Sequence, residues 1–314
     1  MLTRSCGQAP AQAVVTNLSL GAPACRGMEL PIEGNVSMIQ GRPHSSRFPV
    51  GLGELPEGGA VKPPELPREM LLRYTDVPEG RIRTRVLGEP RGVPPVVVLQ
   101  GMTVSDYLLP ACAALAQWTQ VHLLDLPGYA GSGQPTRRLD VRGYGETVVH
   151  WLQASGLERP VLVGHSSGTQ VAAWAGVLRP EGVRAVGLAS PTIDPSVRFL
   201  PKLLLHWRLD ARSPSPGLEE SHAPEWKRAG PRGIAHLVRV HLRDRLEDQV
   251  ARLPMPVLAL RARRDRLSTD DWMNDLVAVA PCAEWVAMPG AHAFVWLYPE
   301  AWSAPLRRLA ERAS

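Results

Sequence analysis

Ser166 lies at the centre of the stretch GHSSG, which follows a short apolar run and precedes a segment of small residues. This is a G-x-S-x-G pattern, in which a buried strand turns sharply into a helix. Glycine is needed two residues before and after the serine because neighbouring backbone leaves no room for a Cβ atom. The pattern predicts that Ser166 is a nucleophile held clear of the sheet and that the Ser167 N–H points toward the bond it attacks.

A serine hydroxyl needs a histidine to accept its proton and a carboxylate to orient that histidine. In a parallel α/β sheet such groups lie at the carboxyl ends of the strands. Asp265 follows the apolar run PVLAL, and His292 follows the later run AEWVAM. We predict Asp265 as the acid and His292 as the base, in the chain order that accompanies this serine pattern. Asp194, which follows a third apolar run, remains an alternative acid.

Hydrolysis of an acyl bond also needs hydrogen-bond donors for the negative charge that develops on the carbonyl oxygen. Gln100, Gly101 and Met102 follow the apolar run PVVVL directly. We predict that the N–H groups of Met102 and Ser167 form the oxyanion hole, with Gly101 allowing the chain to pass closely. Gln100, Gly101 and His165 are also candidate substrate contacts. The His165 side chain is nevertheless expected to point away from the nucleophile and to have a structural role.

The composition limits the classes of function that the chain can have. Its 314 residues, 44% of them hydrophobic, suffice for one large α/β domain or one domain with an appendage. The net charge is +5 and the pI about 9.3, but acidic residues are interspersed with the basic ones, so no nucleic-acid surface is predicted. The four cysteines show no metal-binding spacing, and no metal or other cofactor is expected. A small molecule is the expected partner, no membrane span is predicted, and the oligomeric state stays open.

Strand-like runs and helical periodicity alternate along most of the chain from Leu71 onward. Such alternation predicts a doubly wound, mostly parallel sheet with helices on both faces. The predicted strands are a hairpin at 71–77 and 81–87, followed by 95–99, 121–126, 161–163, 183–189, 256–260 and 283–288. The predicted helices are 106–118, 141–155, a helix from the serine turn to about 178, 269–279 and 299–313.

The alternation stops at Ser190 and resumes at Pro256, and the stretch between them contains an amphipathic segment from Ile234 to Val250. An insertion of roughly 60 residues between two strands is typical of a lid or cap. We therefore predict a core at 70–190 and 254–314 and a helical cap at 191–253. Trp207 in the cap and Phe294 after the histidine are further candidate substrate contacts.

Residues 1–69 differ from the rest because they are rich in Gly, Pro, Ala and Ser and show no lasting period. We predict a disordered N-terminal extension, and we raise the hypothesis that translation starts at Met70. A secretory signal peptide is the alternative, but Thr16 and Asn17 interrupt its apolar stretch. A cytoplasmic location is therefore expected, with secretion as the alternative.

Together these motifs resemble those of the α/β-hydrolase superfamily, in its serine-nucleophile, esterase- and lipase-like branch. The resemblance extends from about Leu71 to the C-terminus and rests on the stretches VVVLQGM, LLDLPGYAGSG, VLVGHSSG, PVLALRARRD and MPGAHAF. In order, these resemble the oxyanion loop, the Asp-x-x-Gly turn after a strand, the nucleophile elbow, the acid strand and the histidine loop. Gln100 departs from the family because relatives commonly carry His there, and the Arg-rich approach to Asp265 replaces a common Gly.

The resemblance implies hydrolysis of a carboxylic ester, thioester or lactone through an acyl-Ser166 intermediate. His292 would act as the base and then as the acid. A serine at position 166 argues against epoxide hydrolases and haloalkane dehalogenases, which attack through a carboxylate. Two alternatives remain open: hydrolysis of a carbon–carbon bond in a diketone-like substrate, and a non-catalytic relative that binds a small molecule.

Overall fold

The computed structural model describes residue 67 and residues 69–313, so the predictions for the N-terminal extension lie almost wholly outside the described residues. Eight strands in this part of the chain form one sheet. They are β1 Leu71–Val77, β2 Gly80–Leu87, β3 Val96–Leu99, β4 Val121–Asp125, β5 Val161–His165, β6 Ala185–Ala189, β7 Val257–Ala262 and β8 Ala283–Met288.

The strand order in the sheet is β1-β2-β4-β3-β5-β6-β7-β8. β2 runs antiparallel to its neighbours β1 and β4, and all other neighbouring pairs are parallel. The carboxyl ends of β3 to β8 therefore lie at one edge of the sheet, where ligands of open α/β sheets bind. The predicted doubly wound, mostly parallel sheet is confirmed.

One or more helices follow each of the strands β3 to β8. They are α1 Leu109–Ala116, α2 Val141–Ser155, α3 Gly168–Leu178, α4 Leu200–Asp210, α5 Leu218–Arg243, α6 Leu246–Val250, α7 Asp270–Ala278, α8 Phe294–Leu297 and α9 Ser303–Arg312. None of these helices combines the length and the apolar character that crossing a bilayer requires. The expected cytoplasmic location stays a prediction.

Each face of the sheet is covered by its own hydrophobic cluster. The central strands are buried along their whole length, as parallel strands covered on both faces should be. Along β3, Val97 and Leu99 pack into the first cluster with α2, α3 and α7, whereas Val96 and Val98 pack into the second with α1, α8 and α9. This two-sided core holds the strand ends, and the loops that follow them, in fixed positions.

The predicted helix at 299–313 differs from the observed chain. The short helix α8 precedes it, and α9 begins only at Ser303. Pro299 explains the gap, because the residue before a proline is forced out of the helical region. Tyr298 accordingly has non-helical angles. At the other predicted helix, 106–118, the chain first makes a 3-10 turn at Asp106–Leu108 before α1 begins.

The segment between β6 and β7 contains α4, α5 and α6. α5 is broken at Gly230, whose backbone is non-helical with φ 66° and ψ 164°. α6 packs into the first core cluster through Leu246 and Val250. The last residues of the predicted 191–253 cap therefore pack as part of the core. Hydrogen bonds from α4 and α5 reach the loops that follow β3, β4, β7 and β8. We call residues 191–245 the inserted segment. These contacts show that the inserted segment crosses the carboxyl edge of the sheet.

Candidate active site

Ser166 lies in the turn between β5 and α3 with a φ of 53°. Its backbone N–H donates to the Ala189 carbonyl oxygen of β6 over 2.9 Å, which fixes the turn to the sheet. A Cβ atom on Gly164 would lie 2.2 Å from the Gly168 carbonyl oxygen, and one on Gly168 would lie 2.5 Å from that of Leu99. Both positions therefore require glycine, and the packed turn maintains the strained backbone of the serine.

The side chains of Ser166, His292 and Asp265 are joined by hydrogen bonds. Nε2 of His292 lies 2.8 Å from Oγ of Ser166, and Nδ1 of His292 lies 3.1 and 3.0 Å from the two carboxylate oxygens of Asp265. The loops after β7 and β8, which are adjacent parallel strands, carry Asp265 and His292. A hydroxyl, an imidazole and a carboxylate in this arrangement can activate the hydroxyl for attack on a carbonyl carbon.

The carboxylate of Asp265 is fully buried and accepts a 2.8 Å hydrogen bond from the Leu267 N–H. Burial disfavours its charged form, but the facing His292 imidazole and this hydrogen bond outweigh burial, so the pKa of Asp265 is lowered. Burial likewise opposes protonation of His292, yet the Asp265 carboxylate outweighs it and the pKa of His292 is raised. The carboxylate therefore remains ionised and is available to stabilise an imidazolium.

Asp194, the alternative acid, is directed elsewhere. One carboxylate oxygen accepts the Ser196 N–H over 2.8 Å. The other accepts the N–H and the hydroxyl of Thr269 over 3.0 and 2.7 Å. Thr269 is the N-cap of α7, so Asp194 connects the loop after β6 to the start of that helix. The structure thus brings Asp265, and not Asp194, into contact with His292.

The chain after β3 forms a tight turn at residues 101–104, closed by a 3.2 Å hydrogen bond between its first and last residues. Gly101 passes beside the nucleophile, since a Cβ atom there would lie 3.2 Å from Cβ of Ser166. Within the described residues, the N–H groups of Met102 and Ser167 donate to no other group. Both are therefore available to an oxyanion, as their predicted role requires.

Tyr107 connects this turn to the histidine loop. Its hydroxyl accepts the Gly101 N–H over 3.3 Å and lies 2.6 Å from Nδ1 of His165. Nε2 of His165 lies 3.1 Å from the His292 carbonyl oxygen, which can only accept, so His165 carries its proton on Nε2. Burial lowers the pKa of His165 to about 3, and His292 adds to the effect, so the ring stays neutral. Both ring nitrogens are occupied, which fits the expected structural role and leaves neither for a substrate.

Three other predicted substrate contacts lie in different surroundings. Gln100 is buried, and its amide fits between a carbonyl and an N–H of the chain leaving β4. Phe294 is buried in the second core cluster beside His165. Burial removes Gln100 and Phe294 from the side chains that a substrate could touch in this conformation. Trp207 on α4 is 48% exposed, and its ring packs edge-on against Trp226.

Sequence reasoning did not identify three buried residues around the site: Tyr107, Asp210 and Glu225. Asp210 and Glu225 belong to helices of the inserted segment, where a carboxylate normally marks the solvated face. Their partners are backbone N–H groups of distant loops, and no motif records such a contact. In the part of the chain that the structure describes, no group of three or more His, Cys, Asp or Glu side chains is arranged to hold a metal ion.

A serine, a histidine and an aspartate at the carboxyl edge of a mostly parallel sheet are the arrangement that defines α/β hydrolases with a serine nucleophile. Comparison with known sequences agrees with this class. Residues 96–310 match the sequence profile of the alpha/beta hydrolase family. The chain belongs to this family.

Individual relatives are more distant. Proline iminopeptidase from Heyndrickxia coagulans is 34% identical over 126 residues, which are 38% of this chain and 43% of that protein. The matched region thus spans less than half of the relative. Among solved structures, an enol-lactonase from Burkholderia xenovorans LB400 has a TM-score of 0.64 at 17% identity, covering 76% of this chain and 99% of its own. Naproxen esterase from Bacillus subtilis has a TM-score of 0.59 at 17% identity, covering 77% and 92%. At 17% identity, these two matches show only that this chain shares its fold with both structures.

Proposed function

We propose that this protein hydrolyses carboxylic esters, thioesters or lactones through an acyl-Ser166 intermediate. The observation that carries the proposal is the continuous hydrogen-bonded path from the Ser166 hydroxyl through His292 to the Asp265 carboxylate. The buried carboxylate fixes the imidazole with Nδ1 as donor, which leaves the Nε2 lone pair for the serine proton. The family membership supports hydrolysis in general, and the ester-type substrate is the finer part of the proposal.

In the first step, Ser166 Oγ attacks the carbonyl carbon while its proton moves to Nε2 of His292. The carbonyl π-electrons move to the oxygen, which becomes an oxyanion. The two N–H groups of Met102 and Ser167, which have no other acceptor in the described residues, are proposed to stabilise it. The resulting imidazolium is stabilised by Asp265, whose lowered pKa keeps it negatively charged.

In the second step, the oxyanion collapses, the bond to the leaving group breaks, and His292 gives its proton to the departing alcohol or thiol. The acyl group then remains on Ser166. A water molecule next loses a proton to Nε2 of His292 as it attacks the acyl carbon. The second collapse returns the proton to Ser166 Oγ and releases the carboxylic acid, so the enzyme regains its starting state.

The inserted segment, which is the predicted 191–253 cap without residues 246–253, is proposed to act as a cap over a core of residues 70–190 and 246–314. Its hydrogen bonds to four loops at the carboxyl edge support this role. Trp207 and Trp226 are proposed to form part of an apolar wall, since their rings contact each other at a centroid distance of 5.8 Å. An acyl chain, rather than a charged group, would fit such a wall.

The test is turnover of p-nitrophenyl butyrate by wild type, Ser166→Ala and Ser155→Ala. Ser155 is an exposed serine at the end of α2, so its variant controls for handling and for loss of a hydroxyl. We expect Ser166→Ala to lose activity by a factor of about 10⁴ or more with an unchanged thermal midpoint. Ser155→Ala should match wild type. Undiminished turnover by Ser166→Ala would exclude the acyl-Ser166 mechanism.

A second candidate is removal of an N-terminal proline, which the match to proline iminopeptidase favours. The same serine, histidine and aspartate can cleave an amide when the leaving amine is protonated by the histidine. Prolyl-p-nitroanilide beside p-nitrophenyl butyrate and a γ-lactone separates the two activities. We expect the ester or the lactone to be turned over with the higher kcat/KM.

The two alternatives raised by the sequence are tested in the same panel. A diketone-like substrate reports carbon–carbon bond hydrolysis, and faster turnover of it than of any ester would replace our proposal. A non-catalytic binding protein would not react with a fluorophosphonate. We expect one fluorophosphonate adduct per chain, located at Ser166 by peptide mass spectrometry.

A further inference from the structure

Asp210 is the last residue of α4 and the one buried side chain of a helix that is otherwise largely exposed. Its Oδ1 accepts two backbone N–H groups, that of Arg266 over 3.2 Å and that of His292 over 3.3 Å. Arg266 follows Asp265 directly in the chain. One carboxylate oxygen therefore holds the backbone of the acid loop and that of the histidine loop at once.

Burial of the Asp210 carboxylate near Asp265 is electrostatically unfavourable. Burial raises the pKa of Asp210 and outweighs the opposing effect of His292, and the negative charge of Asp265 adds a smaller rise. The two N–H groups offset part of this cost. A neutral side chain could pack at the end of α4 without this cost. The presence of a carboxylate is therefore best explained by the two backbone N–H groups that it binds.

Glu225 makes the corresponding contacts on the other side of the site. It is a buried residue of α5, and one of its oxygens accepts the N–H groups of Ser105 over 2.7 Å and of Asp106 over 3.3 Å. Its second oxygen accepts the Ser105 hydroxyl over 3.1 Å. Ser105 directly follows the 101–104 turn that carries Met102. Arg85 also donates to the Ser105 hydroxyl, so this anchor is joined to the sheet through β2.

We infer that Asp210 and Glu225 are positioning residues, through which the inserted segment aligns the histidine loop and the oxyanion turn with Ser166. This inference rests on the proposed function. It makes the inserted segment a part of the catalytic geometry in addition to a wall of the pocket. Displacement of the segment would remove these contacts from both loops, so kcat should be highest while both carboxylates are seated.

The contacts predict how each variant behaves. Asp210→Ala and Glu225→Ala remove the acceptors, and a misplacement of about 1 Å should lower kcat by roughly 10- to 100-fold with a smaller change in KM. Asp210→Asn keeps an oxygen for the two N–H groups but removes the charge. Its kcat on the pH plateau should therefore stay closer to wild type than that of Asp210→Ala.

Asp210→Asn has a second expected effect, on the pH profile. The groups facing His292 are Asp265 from the loop after β7, Asp210 from α4 and neutral His165 from the elbow. Loss of the Asp210 charge makes the imidazolium less stable and lowers the pKa of His292. The acid limb of kcat/KM should consequently move to lower pH, which a purely structural role for Asp210 would not produce.

The experiment measures kcat, KM and the pH profile of p-nitrophenyl butyrate hydrolysis for wild type, the three variants above, Ser166→Ala and two controls. The controls are Arg208→Ala, exposed on α4, and Glu220→Ala, exposed on α5. Thermal midpoints are recorded for all. Loss of kcat in Asp210→Ala and Glu225→Ala beyond that of their controls supports the inference. Wild-type kcat in both overturns it.

If Asp210→Ala does not fold, Asp210→Asn decides for this residue: a shifted acid limb supports the inference and an unchanged profile overturns it. Glu225→Gln serves the same purpose if Glu225→Ala does not fold, because the amide keeps one acceptor oxygen. Its kcat should lie below that of wild type and, where the alanine variant folds, above that of the alanine variant. Wild-type kcat in Glu225→Gln while Glu225→Ala is unfolded overturns the role of Glu225. Full turnover by Ser166→Ala would instead show that the proposed function is wrong, whatever the positioning variants do.

Discussion

His165 donates a hydrogen bond from Nε2 to the backbone carbonyl oxygen of His292 over 3.1 Å. The residue directly before the proposed nucleophile thus holds the backbone of the proposed base. Ser190 donates its hydroxyl to the same carbonyl over 2.8 Å, so the histidine loop is held from two neighbouring strands. This relationship means that the geometry of the site depends on residues that need not touch a substrate.

Tyr107→Phe tests that dependence. The change leaves Nδ1 of His165 and the Gly101 N–H without their partner. We expect a loss of about 1–3 kcal/mol in the free energy of unfolding, because buried polar groups are left unsatisfied. We also expect roughly tenfold lower kcat for an ester. Tyr74→Phe, at a half-exposed tyrosine of β1, is the matched control and should change neither quantity.

Asp265→Asn and Asp194→Asn distinguish the two candidate acids. An amide at Asp265 no longer fixes the imidazole in the required tautomer, and a loss of about 10⁴-fold in kcat is expected. Asp194→Asn should lower the thermal midpoint, since Asp194 caps the start of α7 through Thr269, and should leave kcat near wild type. Steady-state kinetics and thermal unfolding of both variants are the measurements. The opposite ranking of kcat would return Asp194 to the role of acid.

The pH dependence of kcat/KM should report His292. Burial lowers the pKa of this imidazole, but Asp265 outweighs that effect and the net pKa is raised above the ordinary value of 6.5. Protonated His292 cannot accept the serine proton, so activity should fall as the pH drops through this raised pKa. We expect the midpoint of the acid limb above pH 6.5. An acid limb centred below that value would contradict the described geometry.

Gly101→Ala tests the oxyanion turn. A Cβ atom at Gly101 would lie 2.8 Å from the Tyr107 hydroxyl and 3.2 Å from Cβ of Ser166, so the turn must shift. Displacement of the Met102 N–H should lower kcat on the order of 100-fold. The control is Gly233→Ala in α5, where the nearest neighbour of an added Cβ lies 4.0 Å away. That variant should keep wild-type kcat and gain slightly in stability, since alanine favours a helix.

The sequence predicted the strand ends well because apolar runs, turn residues and a tight G-x-S-x-G turn are local signals. Asp265 and His292 could be named because each follows a strand and the strands of a parallel sheet end at one edge. The choice between Asp265 and Asp194 could not be made, since both follow strands and only their hydrogen-bond partners differ.

The contacts of the inserted segment were beyond sequence reasoning for a different reason. Its helices are amphipathic, and the amphipathic pattern states which face is buried without stating what it is buried against. Glu225 is separated from its partner Ser105 by 120 residues, and Asp210 from His292 by 82. Gln100 and Phe294 were predicted to touch a substrate, yet both side chains are buried in the protein.

The break in α5 at Gly230 has a geometric consequence for these contacts. Glu225 faces the oxyanion turn, while His241 bonds to Gln170 of α3 from the far end of the same helix. Side chains sixteen residues apart on a continuous helix would project about 160° away from each other, because 3.6 residues make one turn. The two could then not both reach the same body of the protein. A substitution at position 230 that made the helix continuous would therefore break either the contact of Glu225 or that of His241.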